Sequence, residues 1–174
     1  VKRYWSFYGG WKELFSSAYF HFALFLTVIL FPFWSRPLWW ETVISILPNL
    51  IGFSLGGYAI LLAFGDEDFQ ILLSKSSDDE KSTFMTVSSA FAHFLYIQFL
   101  ALLLALFAKA YYLPMPQWIQ TGIKSLGVEP NTVIECLQFL IWSGSFLIFI
   151  YALSLGIAAT AGIFRVSSWF NRYR

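Results

Sequence analysis

Four long apolar runs separated by short polar breaks dominate the chain. They cover residues 17–34 (SAYFHFALFLTVILFPFW), 42–65 (TVISILPNLIGFSLGGYAILLAFG), 83–113 and 136–164. About 20 apolar residues in a helix cross the ~30 Å hydrocarbon core of a bilayer, so each run is a candidate span. The last two exceed one bilayer thickness and must tilt or project into water. The breaks read SRPLWWE, DEDFQILLSKSSDDEKS and PMPQWIQTGIKSLGVEPN. In the third break Ile119, Ile123 and Leu126 recur at helical spacing, which predicts a short helix lying at the membrane interface. The pattern predicts an all-α integral membrane protein with four transmembrane helices in a single domain. Residues 66–82 form an acidic cytoplasmic loop with a helical extension between spans two and three, and residues 114–131 form a periplasmic loop.

Composition agrees with this class. Hydrophobic residues make up 58% of the 174 and charged residues only 12%, with mean hydropathy +0.64; soluble domains carry about 25% charged residues. A net charge of +1 gives no reason to expect direct nucleic-acid binding. A single cysteine, Cys136, excludes an internal disulfide and a cysteine-based metal cluster. The first apolar run is followed by Pro32, Trp34 and Arg36 rather than a small-residue cleavage site, so it is expected to be a span and not a cleaved signal peptide.

Basic residues set the orientation. Lys2, Arg3, Lys12, Lys75, Lys81, Arg165, Arg172 and Arg174 fall on one side, against Arg36, Lys109 and Lys124 on the other. The positive-inside rule then places both termini and the acidic loop in the cytoplasm. Trp5, Trp11 and Trp169 mark the inner edge, and Trp34, Trp39, Trp40 and Trp118 the outer edge.

The stretch IGFSLGGYAILLAFG contains Gly52, Gly56 and Gly57. Helices in lipid have no hydrophobic drive to associate and use small residues to bring their backbones close. Gly52 and Gly56 share one face, continued by Ala59 and Ala63. Span four carries Ala152, Gly156 and Thr160, and span three Ala101 and Ala105. Two uses fit this pattern: packing within one four-helix bundle, and a homo-oligomer seam through Gly52, Gly56, Gly156 and Thr160. Pro48 predicts a kink in span two, where Asn49 could satisfy the freed carbonyl.

Ionisable residues inside spans are the first candidates for function. His93, with Tyr96 and Gln98 nearby, falls in the inner half of span three; His21 opens span one; Lys109 lies near an outer end from which it can snorkel. For His93 an interhelical hydrogen bond is preferred over a gate or sensor. No Asp or Glu lies in mid-span, which disfavours a proton-relay transporter, and no HExxH is present. Cys136, Ser143 and Ser145 fall in the outer half, away from His93, so no nucleophile–base pair is expected. The sequence predicts no catalytic, cofactor or metal site.

Six of the ten acids, Asp66, Glu67, Asp68, Asp78, Asp79 and Glu80, crowd into the second break. Acids are not drawn to an anionic leaflet. They can cap helix starts, in GDEDFQILL with Phe69, Leu72 and Leu73 on its apolar side and in SSDDE before span three. They can also dock a basic cytosolic partner.

The string IGFSLGGYAILLAFGDEDF and the four-span plan resemble KwaA, the membrane subunit of the Kiwa systems found in bacterial phage-defence islands. The resemblance rests on size, span number and one glycine-rich helix. It implies a homo-oligomeric inner-membrane sensor that recruits and controls a cytosolic, nucleic-acid-binding effector, KwaB. The expected function is a non-enzymatic scaffold or sensor whose partners are itself, a cytosolic effector and the lipid bilayer. The alternative is a pore-forming effector or small channel.

Overall fold

In a computed structural model, described for residues 9–63, 83–110, 112, 117–125 and 130–173, all regular structure is α-helical. Seven helices follow in order: α1 (Gly10–Ser16), α2 (Ala18–Ile29), α3 (Phe31–Trp34), α4 (Trp39–Ala63), α5 (Thr83–Ala110), α6 (Gln117–Ser125) and α7 (Pro130–Tyr173). Three stretches are long and apolar enough to cross a membrane: Trp39–Ile60, Ser88–Ala110 and Ile134–Gly162.

The first apolar run departs from the expected single span. Ser17 is extended (φ −65°, ψ 125°) and separates α1 from α2, and Leu30 (φ −83°, ψ 12°) separates α2 from α3. Pro32 explains the second break. It has no N–H to donate to the Val28 carbonyl, and its ring would collide with that carbonyl in a continuous helix. The loosened end of α2 is repaired locally. Leu30 N–H donates to the Leu26 carbonyl at 2.8 Å, and the Trp34 indole N–H reaches back to the Thr27 carbonyl at 2.7 Å. The 12 residues of α2 alone fall short of a span.

The other boundaries also move. The second span begins at Trp39 rather than residue 42, because Trp39 and Trp40 enter the core. The fourth apolar run is the centre of a 44-residue helix, about 66 Å long at 1.5 Å per residue. Pro130 opens it, where a missing N–H costs nothing. A short helix is present in the third break as α6, with Ile119 and Ile123 half-buried and Trp118 exposed, while Leu126 lies outside the described residues. Pro48 sits inside α4 without ending it. The Asn49 amide donates to the Ser45 carbonyl at 3.3 Å, one position beyond the Ile44 carbonyl that Pro48 leaves free.

Helix α5 lies between α4 and α7, and α2 packs on the far side of α7. Helix α4 packs on α5 and buries Val43, Leu47, Ile51 and Ser54, a stripe at helical spacing that Trp40 continues toward α7. On α5, Ala101, Ala105 and Ala108 are buried, and on α7 Ala152 is; such small residues let backbones approach. Antiparallel register is fixed by cross-contacts. Lys109 pairs with Glu41 at 2.9 Å at one end of α4–α5, and Tyr58 stacks on Phe91 at the other. Lys109 therefore does more than snorkel, although both partners are half-exposed and such a pair contributes only ~0–1 kcal/mol.

Trp34, Trp39 and Trp40 lie at the expected end, but in the core rather than in an outer belt. Trp39 meets Phe146 edge-on at 5.7 Å, and Trp40 meets Trp142 at 5.4 Å and Tyr112 at 5.1 Å. Trp34 packs on Phe139 of α7 at 5.4 Å.

Trp34→Phe keeps this ring packing and removes the donor to the Thr27 carbonyl. A buried carbonyl left unpaired costs about 1–3 kcal/mol. The variant is expected to melt several degrees below the native protein in detergent, while Trp118→Phe, at an exposed position, leaves the melt unchanged. Equal melts for Trp34→Phe and the native protein would show that α2 and α3 are not held by this bond.

Candidate functional site

The polar groups buried inside the bundle form the candidate site, and α5 organises them because it has a neighbour on two sides. His93 and Gln98 are 1% and 0% exposed and point to different neighbours. Five residues apart, they are separated by about 140° around a helix. His93 Nε2 lies 3.3 Å from the Tyr151 hydroxyl of α7, with donor and acceptor set by the imidazole tautomer. Tyr151 is itself buried, and Phe20 of α2 meets its ring edge-on at 5.5 Å. This contact joins α2, α5 and α7 at one level.

Gln98 faces α4. Its Nε2 donates to the Ser54 hydroxyl at 3.0 Å, and that hydroxyl donates to the Leu50 carbonyl of its own helix at 2.7 Å. Among the described residues Gln98 Oε1 has no hydrogen-bond partner, and neither has the buried indole nitrogen of Trp39. Turning the amide over would only move the deficit to its nitrogen.

Five other hydroxyls are turned onto their own helices. Thr27 donates to Ala23, Ser143 to Leu140, Ser145 to Ile141, Ser154 to Ile150 and Thr160 to Gly156, each to a backbone carbonyl. Such back-bonding satisfies a hydroxyl without a partner helix. His21 Nδ1 donates to the Ser17 carbonyl at 2.9 Å and so serves the junction of α1 and α2.

The sequence-predicted residues divide into three groups. Gly156 is used within the chain: a Cβ there would meet the Phe94 ring at 3.4 Å. Gly52 and Gly56 lie on the exposed side of α4, and a Cβ on either meets nothing within 4 Å; Thr160 is also exposed. Asp66, Glu67, Asp68, Asp78, Asp79 and Glu80 lie outside the described residues, as does the predicted extension with Phe69, Leu72 and Leu73. Tyr151 is the residue that the sequence reading missed. Its hydroxyl in an otherwise apolar run was the available signal.

Chemically, this is a set of interhelical pins. His93 is level with Tyr151, whereas Cys136 lies 15 residues further along α7, about 22 Å away by helix rise. The hydroxyls of Ser143 and Ser145 already donate to backbone carbonyls. Among the described residues no three His, Cys, Asp or Glu side chains converge in a way that could hold a metal ion.

The Gln98–Ser54 pair gives an asymmetric expectation. Ser54→Ala strands the whole amide and is expected to destabilise by about 1 kcal/mol, within the range of interhelical hydrogen bonds in membranes. Gln98→Leu removes an amide that was never fully satisfied and is expected to be neutral or stabilising. The double variant should melt like Gln98→Leu alone. If Ser54→Ala costs nothing in detergent melts, the pair does not pin α4 to α5.

Comparison with family models, curated proteins and solved structures gave no match to the chain.

Proposed function

We propose that the chain is a non-enzymatic, multi-pass subunit of a bacterial cytoplasmic membrane. In this reading it assembles with copies of itself and holds a soluble, basic partner at its cytoplasmic end. The carrying observation is where the helix ends meet. Because α4, α5 and α7 alternate in direction, Ala63, Thr83 and the C-terminal turns of α7 share one end of the bundle. The acidic segment 64–82 starts and finishes there. Beyond Gly162, α7 continues as helix to Tyr173, roughly 16 Å further at 1.5 Å per residue. A helix that runs on past the apolar stretch, at the end where the acidic sequence joins the bundle, supports a docking platform.

The positive-inside count supports a cytoplasmic location for that end. The fourth crossing is assigned to residues 17–34, interrupted at Leu30. Its support is the run of ring contacts along α7, from Phe20 on Tyr151 to Trp34 on Phe139, antiparallel to α7. A Kiwa-type pairing of a KwaA-like membrane subunit with a KwaB-like effector fits this arrangement of one membrane platform and one soluble partner. On that reading the effector, not this chain, meets nucleic acid.

Two measurements test the proposal. A cytoplasm-dependent reporter fused after Arg174 should be active and an export-dependent one inactive; the reverse result overturns the orientation. Asp78→Asn, Asp79→Asn and Glu80→Gln together should weaken capture of the co-expressed soluble partner, most clearly as salt is raised, with membrane insertion unchanged; the same test applies to Asp66, Glu67 and Asp68. Rim charges mainly set association rate and salt sensitivity. Capture that remains at the native level in both variants at every ionic strength removes the acids from the interface.

A further inference from the structure

The outer face of α4 carries a group that a lipid neighbour cannot satisfy. Asn49 is the eleventh of the 22 residues in the stretch Trp39–Ile60, about 15 Å from either end at 1.5 Å per residue. It is exposed and lies opposite the stripe that packs on α5. Among the described residues its one bond runs from Nδ2 to the Ser45 carbonyl, at a long 3.3 Å. Two amide hydrogens and two carbonyl lone pairs are to be satisfied, and one hydrogen is used. Repair of the proline site does not account for the residue, because the carbonyl freed by Pro48 belongs to Ile44. The side chain is also too short to reach an interface from the middle of a span, as lysine or arginine can.

We propose that a second copy of this chain, in the same orientation, packs along this face of α4, with the two Asn49 amides hydrogen-bonded to each other at the same depth. The inference rests on the membrane reading and on the self-assembly stated above. An amide is both donor and acceptor, so it is its own complement across a two-fold axis and needs no different partner. Copies inserted in one orientation place their Asn49 residues at equal depth automatically. The neighbouring glycines decide whether so short a side chain can reach. Gly52 and Gly56 lie on the same side as Asn49, with open space where a Cβ would stand. They lower the surface around the amide, so two α4 backbones can approach until the amides touch. The glycines alone would serve any neighbour; the amide selects its own counterpart. Phe53 and Ile60, 84% and 58% exposed, stand beside this ridge and would close over the seam.

The test uses the full chain in mild detergent and in lipid nanodiscs. Copies bearing two different tags are co-expressed, and mass is followed by native mass spectrometry over a dilution series. Asn49→Leu should weaken self-association by about tenfold, in keeping with one interhelical amide pair, while Asn49→Gln retains it. Helix content should not change in either. On a Cys136→Ser background, Gly52→Cys and Gly56→Cys should cross-link between copies in membranes, and Ile46→Cys and Leu55→Cys, on the flanks, should not. If Asn49→Leu dissociates like the native chain and the ridge cysteines do not cross-link, this seam is overturned, and cross-links through α2 or α7 would leave self-assembly standing without it. If the differently tagged native copies never co-purify and the native mass is that of one chain, both this seam and the self-assembly reading fall. Co-purification of a different membrane protein at this face, lost in Asn49→Leu, overturns the choice of occupant.

Discussion

Close approach of α5 to its two neighbours is the constraint on which the bundle depends. Ala101, Ala105 and Ala108 are buried along α5, and Gly156 on α7 receives the Phe94 ring. Small side chains allow many short contacts that are individually weak and collectively large. Once the backbones are that close, each polar side chain of α5 has only a narrow band of partner residues at its own depth. His93 therefore meets Tyr151 and Gln98 meets Ser54, and neither can shift by a turn without losing its bond. The alanines set the distance, and the polar pairs then set the register.

The two ends of the bundle are held differently. At one end Trp34, Trp39, Trp40, Trp142 and Phe146 fill the space between α3, α4 and α7, and the Glu41–Lys109 pair closes the rim. Rings separated by 5.1–5.7 Å form a rigid plug with large contact area. Nearer the other end the His93–Tyr151 and Gln98–Ser54 hydrogen bonds join the ring contacts of Phe20 with Tyr151 and of Tyr58 with Phe91. From that second end α7 runs on as helix to Tyr173.

Much of the fold was legible in the sequence because a long apolar run has few alternatives to a helix. Three spans and the short helix with Ile119 and Ile123 follow from that alone. The first run misled because its composition conceals a break that Pro32 imposes on hydrogen bonding. The length of α7 was hidden for the opposite reason: polar residues beyond Gly162 end hydropathy but not helicity. Small residues were ambiguous in principle. Gly156 and Gly56 read alike in one dimension, and only the placement of Phe94 beside Gly156 separates them. Trp39 and Trp40 read as interfacial by position, yet they are core residues because α4 starts early enough to turn them onto α7. His93 was legible as an interhelical bond, but Tyr151 passed as one more aromatic in an apolar run. The acidic cluster stays a sequence reading, since residues 64–82 lie outside the described structure.

The packing order gives the two free edges of the bundle different meanings. The helices form a row, α2–α7–α5–α4, in which α2 and α4 do not pack along one another among the described residues. Each edge helix therefore keeps one free face along its length, although Trp39 and Trp40 at the start of α4 also reach α7. On α2 the exposed residues include Phe22, Phe25, Val28 and Ile29, large apolar groups that hydrocarbon solvates well. On α4 the exposed ridge includes Asn49, Gly52, Gly56 and Ala59, which give lipid little side chain to cover and one amide it cannot pair. In water such a difference would mean little. On the membrane reading proposed above, where every unsatisfied polar group is costly and apolar surface carries no association energy of its own, it would make α2 the lipid edge and leave α4 as the edge whose chemistry calls for another helix.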